Sequence, residues 1–277
     1  MIGLWRTLRH DALARLAFAV LAIVGVAAAL GPWMTPHDPL AVDLAANYRP
    51  SSGTHWLGTD HLGRDTLSRL IAGSRVSLGI ALASTLAGLV AGGAIGLLAA
   101  WRRGLMERLL LQLVDILLAL PELLLAITAI TILGRGTIST VVAVAVYAVP
   151  SFARITRAAA QPLVSAEYVA AARASGASDF RVLVRHVLPG CWAPILAHTT
   201  VMLGSAILLA SGLSFLGLGV QPPEAEWGAM LSRGRELLRT APLGAVAPGL
   251  AITLTVLSFS VLGDGLRDTS ERRRPPA

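Results

Sequence analysis

Six stretches of this chain are apolar for about the 20 residues that a helix needs to cross a bilayer. They lie at 16–34, 76–101, 109–134, 136–153, within 187–223 (best placed at 194–218) and at 240–263. Arg75 and Arg102 bound the second, and Arg135 and Arg154 bound the fourth. Asp115 and Glu122 are the only acids inside the third. In hydrocarbon each backbone amide must be satisfied within its own segment, so every window is expected to be helical. The expected fold class is all-α, a polytopic membrane protein with six transmembrane helices. The first window also has the basic start and the Ala27-Ala28-Ala29 run of a signal peptide. Its apolar run is long for a signal core, and removing it would leave an odd number of spans.

Between the windows lie segments of different character. A cytoplasmic N-terminal segment (1–15) precedes the first helix (16–34). An outer loop (35–75) carries a short amphipathic helix expected over 59–71, capped by Thr59 or Asp60 and ended by Gly73. The core (76–266) holds the other five helices, an inner loop at 154–189 and a second outer loop at 219–242. In that outer loop, residues 226–238 should form a short helix with Trp227, Met230 and Leu231 near one face, lying on the membrane or plugging the outer mouth. A basic tail (267–277) follows. Composition agrees: 55% of residues are hydrophobic, 14% are charged, and the mean hydropathy is +0.68. A soluble domain carries about 25% charged residues.

All 23 basic residues are Arg, and the net charge is +7. With both termini inside, inner segments hold 15 Arg and outer segments 8. That bias selects this orientation. It accounts for the basic charge through topology and leaves no call for a nucleic-acid partner. The missing Lys excludes a phosphate-binding loop, whose Lys reaches the β- and γ-phosphates. The single Cys191 excludes a disulfide framework or a Cys-rich zinc site. Trp5, Trp33, Trp101 and Trp192 flank spans, as an interfacial belt would.

Several polar residues carry candidate chemistry. Gly88, Gly92 and Gly96, four apart, form a groove for close helix packing, either within the chain or against a partner. Asp115 and Glu122, seven apart, should share one face of the third span. They would serve either a path favouring a cationic substrate or plain helix-to-helix contacts, with Asp115 near enough to the inner surface to pair with Arg. His55, Asp60, His61 and Asp65 are residue types that suit nickel or zinc. A cap with solvated polar neighbours is the preferred explanation, so no metal ligand is assigned. His198 is expected to be a packed, hydrogen-bonded polar residue.

The inner loop is the most informative. Residues 165–174 form an Ala-rich helix capped by Ser165, which Gly176 breaks. Ser178 or Asp179 caps a second helix over 180–188, expected to end before Pro189. The loop resembles the E-A-A-x-x-x-G signature ending in L-P of permease subunits of binding-protein-dependent ABC importers. Ala171, Ala172, Gly176, Leu188 and Pro189 occupy the matching places. Ala170 stands where that signature has Glu, with Glu167 the nearest acid, so a polar contact by that Glu does not carry over. The run from His55 to Asp65 is similar to the outer-loop signature of the dipeptide/oligopeptide/nickel branch. So are the stretches 214–219, 226–230, 248–250 and 262–268.

The resemblance implies a type I ABC importer permease of the second, or C, type in the cytoplasmic (inner) membrane of a bacterium or archaeon. It implies a heterodimer with a sister permease, two cytoplasmic ATP-binding subunits and an extracytoplasmic solute-binding protein. ATP and Mg would be bound by the ATPase partners, and no cofactor by this chain. ATPase coupling would fall on Glu167, Tyr168, Ala170, Ala171, Ala172, Gly176, Asp179, Leu188 and Pro189. Short peptides are the first cargo, with nickel or a metal chelate as the alternative. Two rivals remain. An intramembrane Ser protease would need Ser214 and His198 to meet, but 16 residues on one helix put them about 24 Å apart. A secondary transporter would show internal repeats and broken helices.

Overall fold

The structure, a computed structural model, describes residues 11–102, 104–239 and 241–271. Expectations placed on Trp5, Arg6, Arg9, Arg103 and the tail beyond 271 lie outside these residues. The elements are α1 (Ala12–Met34), α2 (Thr66–Trp101), α3 (Leu105–Ala119), α4 (Glu122–Leu133), α5 (Thr137–Val164), α6 (Glu167–Ala174), α7 (Asp179–Phe215), α8 (Trp227–Gly234) and α9 (Leu243–Glu271). One isolated bridge, Thr59 to Asp65, is the only extended pairing among the described residues. The two ends of the bundle are called outer and inner here after the Arg distribution.

α1, α2, α5, α7 and α9 are each long and apolar enough to cross a membrane. The expected third span is instead two helices, α3 and α4, bent by 96°. Pro121 offers no amide hydrogen and pushes Leu120 into extended backbone (φ −89°, ψ 134°), which ends α3. The pair still carries the chain from one end of the bundle to the other. α3 starts just after the inner end of α2, whereas α5 starts among outer residues, its Thr137 hydroxyl donating to Glu224 Oε2 at 3.0 Å. The bent pair is therefore one broken crossing, and it completes six.

Two further expectations are corrected. No separate helix occupies 59–71. Gly63 (φ +72°) holds a tight turn, and a Cβ there would strike Asp43 O. Helix α2 then begins at Thr66 with Asp65 as its cap. Gly73 does not end it, because that glycine sits inside the helix where the Trp227 ring comes close. At about 54 Å, α2 is longer than a bilayer core, so its first turns stand in the outer region. Nor does Pro189 stop the second inner helix. A wider turn at Leu183–Val187, with the Leu188 amide donating to Leu183 O, absorbs the missing amide, and the helix runs on to Phe215.

Small residues set the packing. A Cβ on Gly88 would meet Ala148, one on Gly92 would meet Val149 O, and one on Gly96 would meet Ala153 O. The glycine stripe is thus the seam between α2 and α5 of this same chain. α7 packs on α9 in a similar way, Gly204 against Phe259 and Gly263 against Val201. α1 lies on the outside of α2 and α9, through Gly31 beside Ile71 and a small cluster of Ala14, Ala17 and Leu262.

Candidate functional site

Two sites emerge, one at the inner end and one between helices. At the inner end, α6 and the start of α7 form an elbow. Ser165 is not the cap. The cap of α6 is Ala166, with no side-chain bond, and Ser178 caps α7. Gly176 makes the corner at φ +83°, a conformation that costs other residues about 1 kcal/mol or more. Val169, Val182, Leu183 and Val187 bury against Ala100, Trp101, Ala159 and Ala160 at the ends of α2 and α5. Trp101 is the clasp. Its indole N–H donates to Asp179 Oδ2 at 3.1 Å, and the Arg173 guanidinium lies 3.8 Å from its ring centroid. It was expected to flank a span at the membrane surface, but it is buried in this joint. The remaining surface is open: Glu167, Tyr168, Ala170, Ala171 and Gly176 are exposed, and Phe180 is 76% exposed. Ala172 and Leu188 are half-buried, and Pro189 is exposed.

Between the helices, one face of α5 presents Tyr147, Ser151 and Arg154. Each meets a polar residue from elsewhere. Arg154 Nη2 is 2.8 Å from Asp115 Oδ1. Ser151 Oγ is 2.7 Å from His198 Nε2. Tyr147 interacts with Glu122 and Ser205. The line runs for roughly 10 Å along α5. Asp115 and Glu122 do not share a helix face, because the break at Pro121 separates them. α5 brings them onto one line instead. Ser214 and His198 never meet, since Ser214 Oγ accepts from the Val220 amide at 3.2 Å.

The outer end is closed by a densely bonded cap. Asp60 accepts from Arg64 Nε at 2.8 Å and from the amides of Leu62 and Arg64 at 2.8 and 3.1 Å. Arg69 Nε lies 3.4 Å from the same carboxylate. Burial raises the Asp60 pKa, but these hydrogen bonds outweigh it and hold the group below its ordinary value. Arg233 Nη1 reaches His61 Nε2 at 2.7 Å. Glu226 is almost fully buried and caps α8 through the amides of Gly228 and Ala229, while the Ser77 and Ser211 hydroxyls donate to it from α2 and α7. Trp227 is buried, its N–H donating to Leu70 O at 3.0 Å. α8 therefore does not lie on the membrane through this residue. It is wedged between α2, α7 and α9. A pocket open to solvent lies beside it, lined by Asp60, Arg64, Arg69 and Arg233 among others.

Residues 92–274 match the family described as binding-protein-dependent transport system inner membrane component. The chain belongs to that family. Residues 3–50 match the N-terminal transmembrane domain of oligopeptide transport permease C. The permease is 46% identical over 222 residues to a glutathione transport system permease protein of Pectobacterium atrosepticum, covering 80% of this chain and 73% of that one. It is 43% identical over 272 residues to a di/tripeptide transport system permease protein of Pseudomonas aeruginosa, covering 95% and 89%. A chain of the inward-facing MetNI methionine ABC transporter shares its fold, with a TM-score of 0.59 and 20% identity over 74% of this chain and 97% of that one. The permease is thus a multi-pass inner-membrane subunit with the type I importer fold. It is not an enzyme, and it works with separate ATPase and solute-binding subunits. The break in the third span, which would have suited a secondary transporter, is a feature of this permease.

Sequence reasoning missed Trp101, Arg173, Tyr147, Ser151, Arg154 and Ser205. A signal existed for three of them: Tyr147, Ser151 and Arg154 recur at helical spacing in an otherwise apolar stretch.

Proposed function

We propose that this permease is the C-type half of a heterodimeric importer of short peptides, with both termini cytoplasmic. Its 15-to-8 Arg bias supports the orientation. Two of its relatives are named for di/tripeptide and glutathione transport, which supports the cargo. The polar line on α5 also suits peptides, because Arg154, His198 and Tyr147 beside Asp115 and Glu122 offer both donors and acceptors to amide groups. In this reading Asp115 and Glu122 border the translocation path.

α6 is the coupling helix. It docks in a groove of an ATPase partner, which holds ATP and Mg, and it presents Glu167, Tyr168, Ala170 and Ala171. The observation that carries the reading is the Trp101 clasp. A push on α6 passes through Trp101 and Asp179 to α2 and α7, while the outward surface of α6 stays free for a partner. Coupling requires that the contact differ between two states of the assembly.

The test uses the permease in vesicles with its sister permease, ATPases and binding protein, comparing wild type with Gly176→Val. Strain at φ +83° should shift the corner. Uptake of a labelled dipeptide should then fall about tenfold or more while ATP hydrolysis persists. Dipeptide uptake by the variant at the wild-type rate would refute the coupling role. Failure of the binding protein to bind dipeptides in calorimetry would refute the cargo.

A further inference from the structure

The outer loop holds a cluster that lies outside both the elbow and the polar line on α5. His37 follows the end of α1, His55 lies mid-loop, and Asp65 caps α2. Each offers one nitrogen or carboxylate oxygen, and these atoms lie within 4.8 Å of one another. The acid is rigid: its side chain is 2% exposed, and Oδ2 accepts from the Ser68 amide at 2.8 Å and the Ser68 hydroxyl at 2.7 Å. Its Oδ1 pairs with His55 Nδ1 at 2.9 Å. The His37 amide donates to that same Ser68 hydroxyl at 3.0 Å, which sets its ring 4.8 Å from the ring of His55. The His37 side chain is 41% exposed, so one side of the cluster is open to solvent.

Charge singles this acid out. Arg64 and Arg69 are both engaged by Asp60. Among the described residues, the ion-pair partners of Asp65 are the two imidazoles. A carboxylate with two imidazoles is the donor set of a zinc site that keeps a position for water. Ligand atoms around a tetrahedral zinc are about 3.3 Å apart, given zinc–nitrogen distances near 2.0 Å. The present spacings straddle that figure, and the exposed His37 ring can supply the adjustment. Asp60 and His61, which the sequence grouped with these residues, belong to the separate Arg network.

We propose that His37, His55 and Asp65 bind one Zn²⁺ ion, with water completing the coordination. Binding replaces the His55–Asp65 hydrogen bond. The Nδ1 proton of His55 moves to Nε2, and the freed Nδ1 lone pair takes the metal. The ion ties together the start, middle and end of the first outer loop. It is a resident ion, set apart from the polar line on α5.

The experiment uses the assembled transporter without an affinity His tag, stripped with chelator and titrated with Zn²⁺ alone and then Co²⁺ alone. Wild type should bind one more ion per copy of this chain than the His37→Gln/His55→Gln double variant, and Co²⁺ should give tetrahedral absorption bands. His37→Gln alone should weaken binding about tenfold or more. His61→Gln should bind as wild type does. The metal-free thermal transition of His37→Gln should stay close to wild type, since the His37 side chain is 41% exposed and its Nδ1 lies 3.9 Å from Asp65 Oδ2, beyond hydrogen-bond reach. Equal Zn²⁺ binding by wild type and the double variant, or no saturable binding by either, would overturn the site.

Discussion

The outer cap and the inner elbow are both joints between long helices, but they are built in opposite ways. The cap is stitched by buried polar groups: Glu226 to two amides and two hydroxyls, Asp60 to Arg64 and Arg69, and Trp227 to Leu70 O. Each bond would leave a buried partner unsatisfied if removed. The elbow exposes Glu167, Tyr168, Ala170 and Ala171 on α6 over four buried aliphatics, with Trp101 as its one large anchor. A region locked by its own hydrogen bonds resists rearrangement when a partner docks on it. A region with one anchor and a free face can follow a partner without breaking the bundle.

The two buried tryptophans separate these roles. Trp227→Ala should cost about 4 kcal/mol and lower the thermal transition of the purified complex by several degrees. Trp101→Ala should cost about half that, while the ratio of peptide uptake to ATP hydrolysis falls. If Trp101→Ala were the more destabilising change and left that ratio intact, the comparison would fail.

Acid should act first on the cap. Burial is the main cause holding the His61 pKa below 6.5, helped by the nearby Arg233, Arg64 and Arg69 and opposed by Asp60. A histidine with a lowered native pKa contributes fully above its ordinary value, and its contribution is lost as pH falls toward the native one. Amide protection over 43–69 and 226–234, corrected for intrinsic exchange, should therefore drop as pH falls through 6.5 toward the lowered native pKa. His61→Gln should flatten that dependence. A pH profile unchanged by this substitution would remove His61 as its source.

The smallest effect on stability belongs to Phe180→Ala. Its side chain is 76% exposed, so unfolding should shift by less than about 0.5 kcal/mol. Retention of the ATPase subunit through purification should nevertheless weaken. Full retention would place the docking surface elsewhere on the elbow.

The spans could be read directly, because hydrocarbon tolerates only long apolar helices and each one leaves a gap between charges. The elbow was legible too, as a local helix, a glycine and a capped second helix. Its outline needed correction at Ser165, which does not cap α6, and at Pro189, where a wide local turn let α7 run on. The stripe at Gly88, Gly92 and Gly96 announced close packing, although only the fold showed that α5 fills it.

Composition and periodicity determined the class of this protein and the number of its crossings, since both follow from one-dimensional costs of burying backbone and charge. What sits beside what was decided in three dimensions. Asp115, Glu122 and His198 acquire their partners from α5, and His37 reaches His55 and Asp65 across a folded loop. Those meetings depend on where helices break and cross, which no single segment encodes.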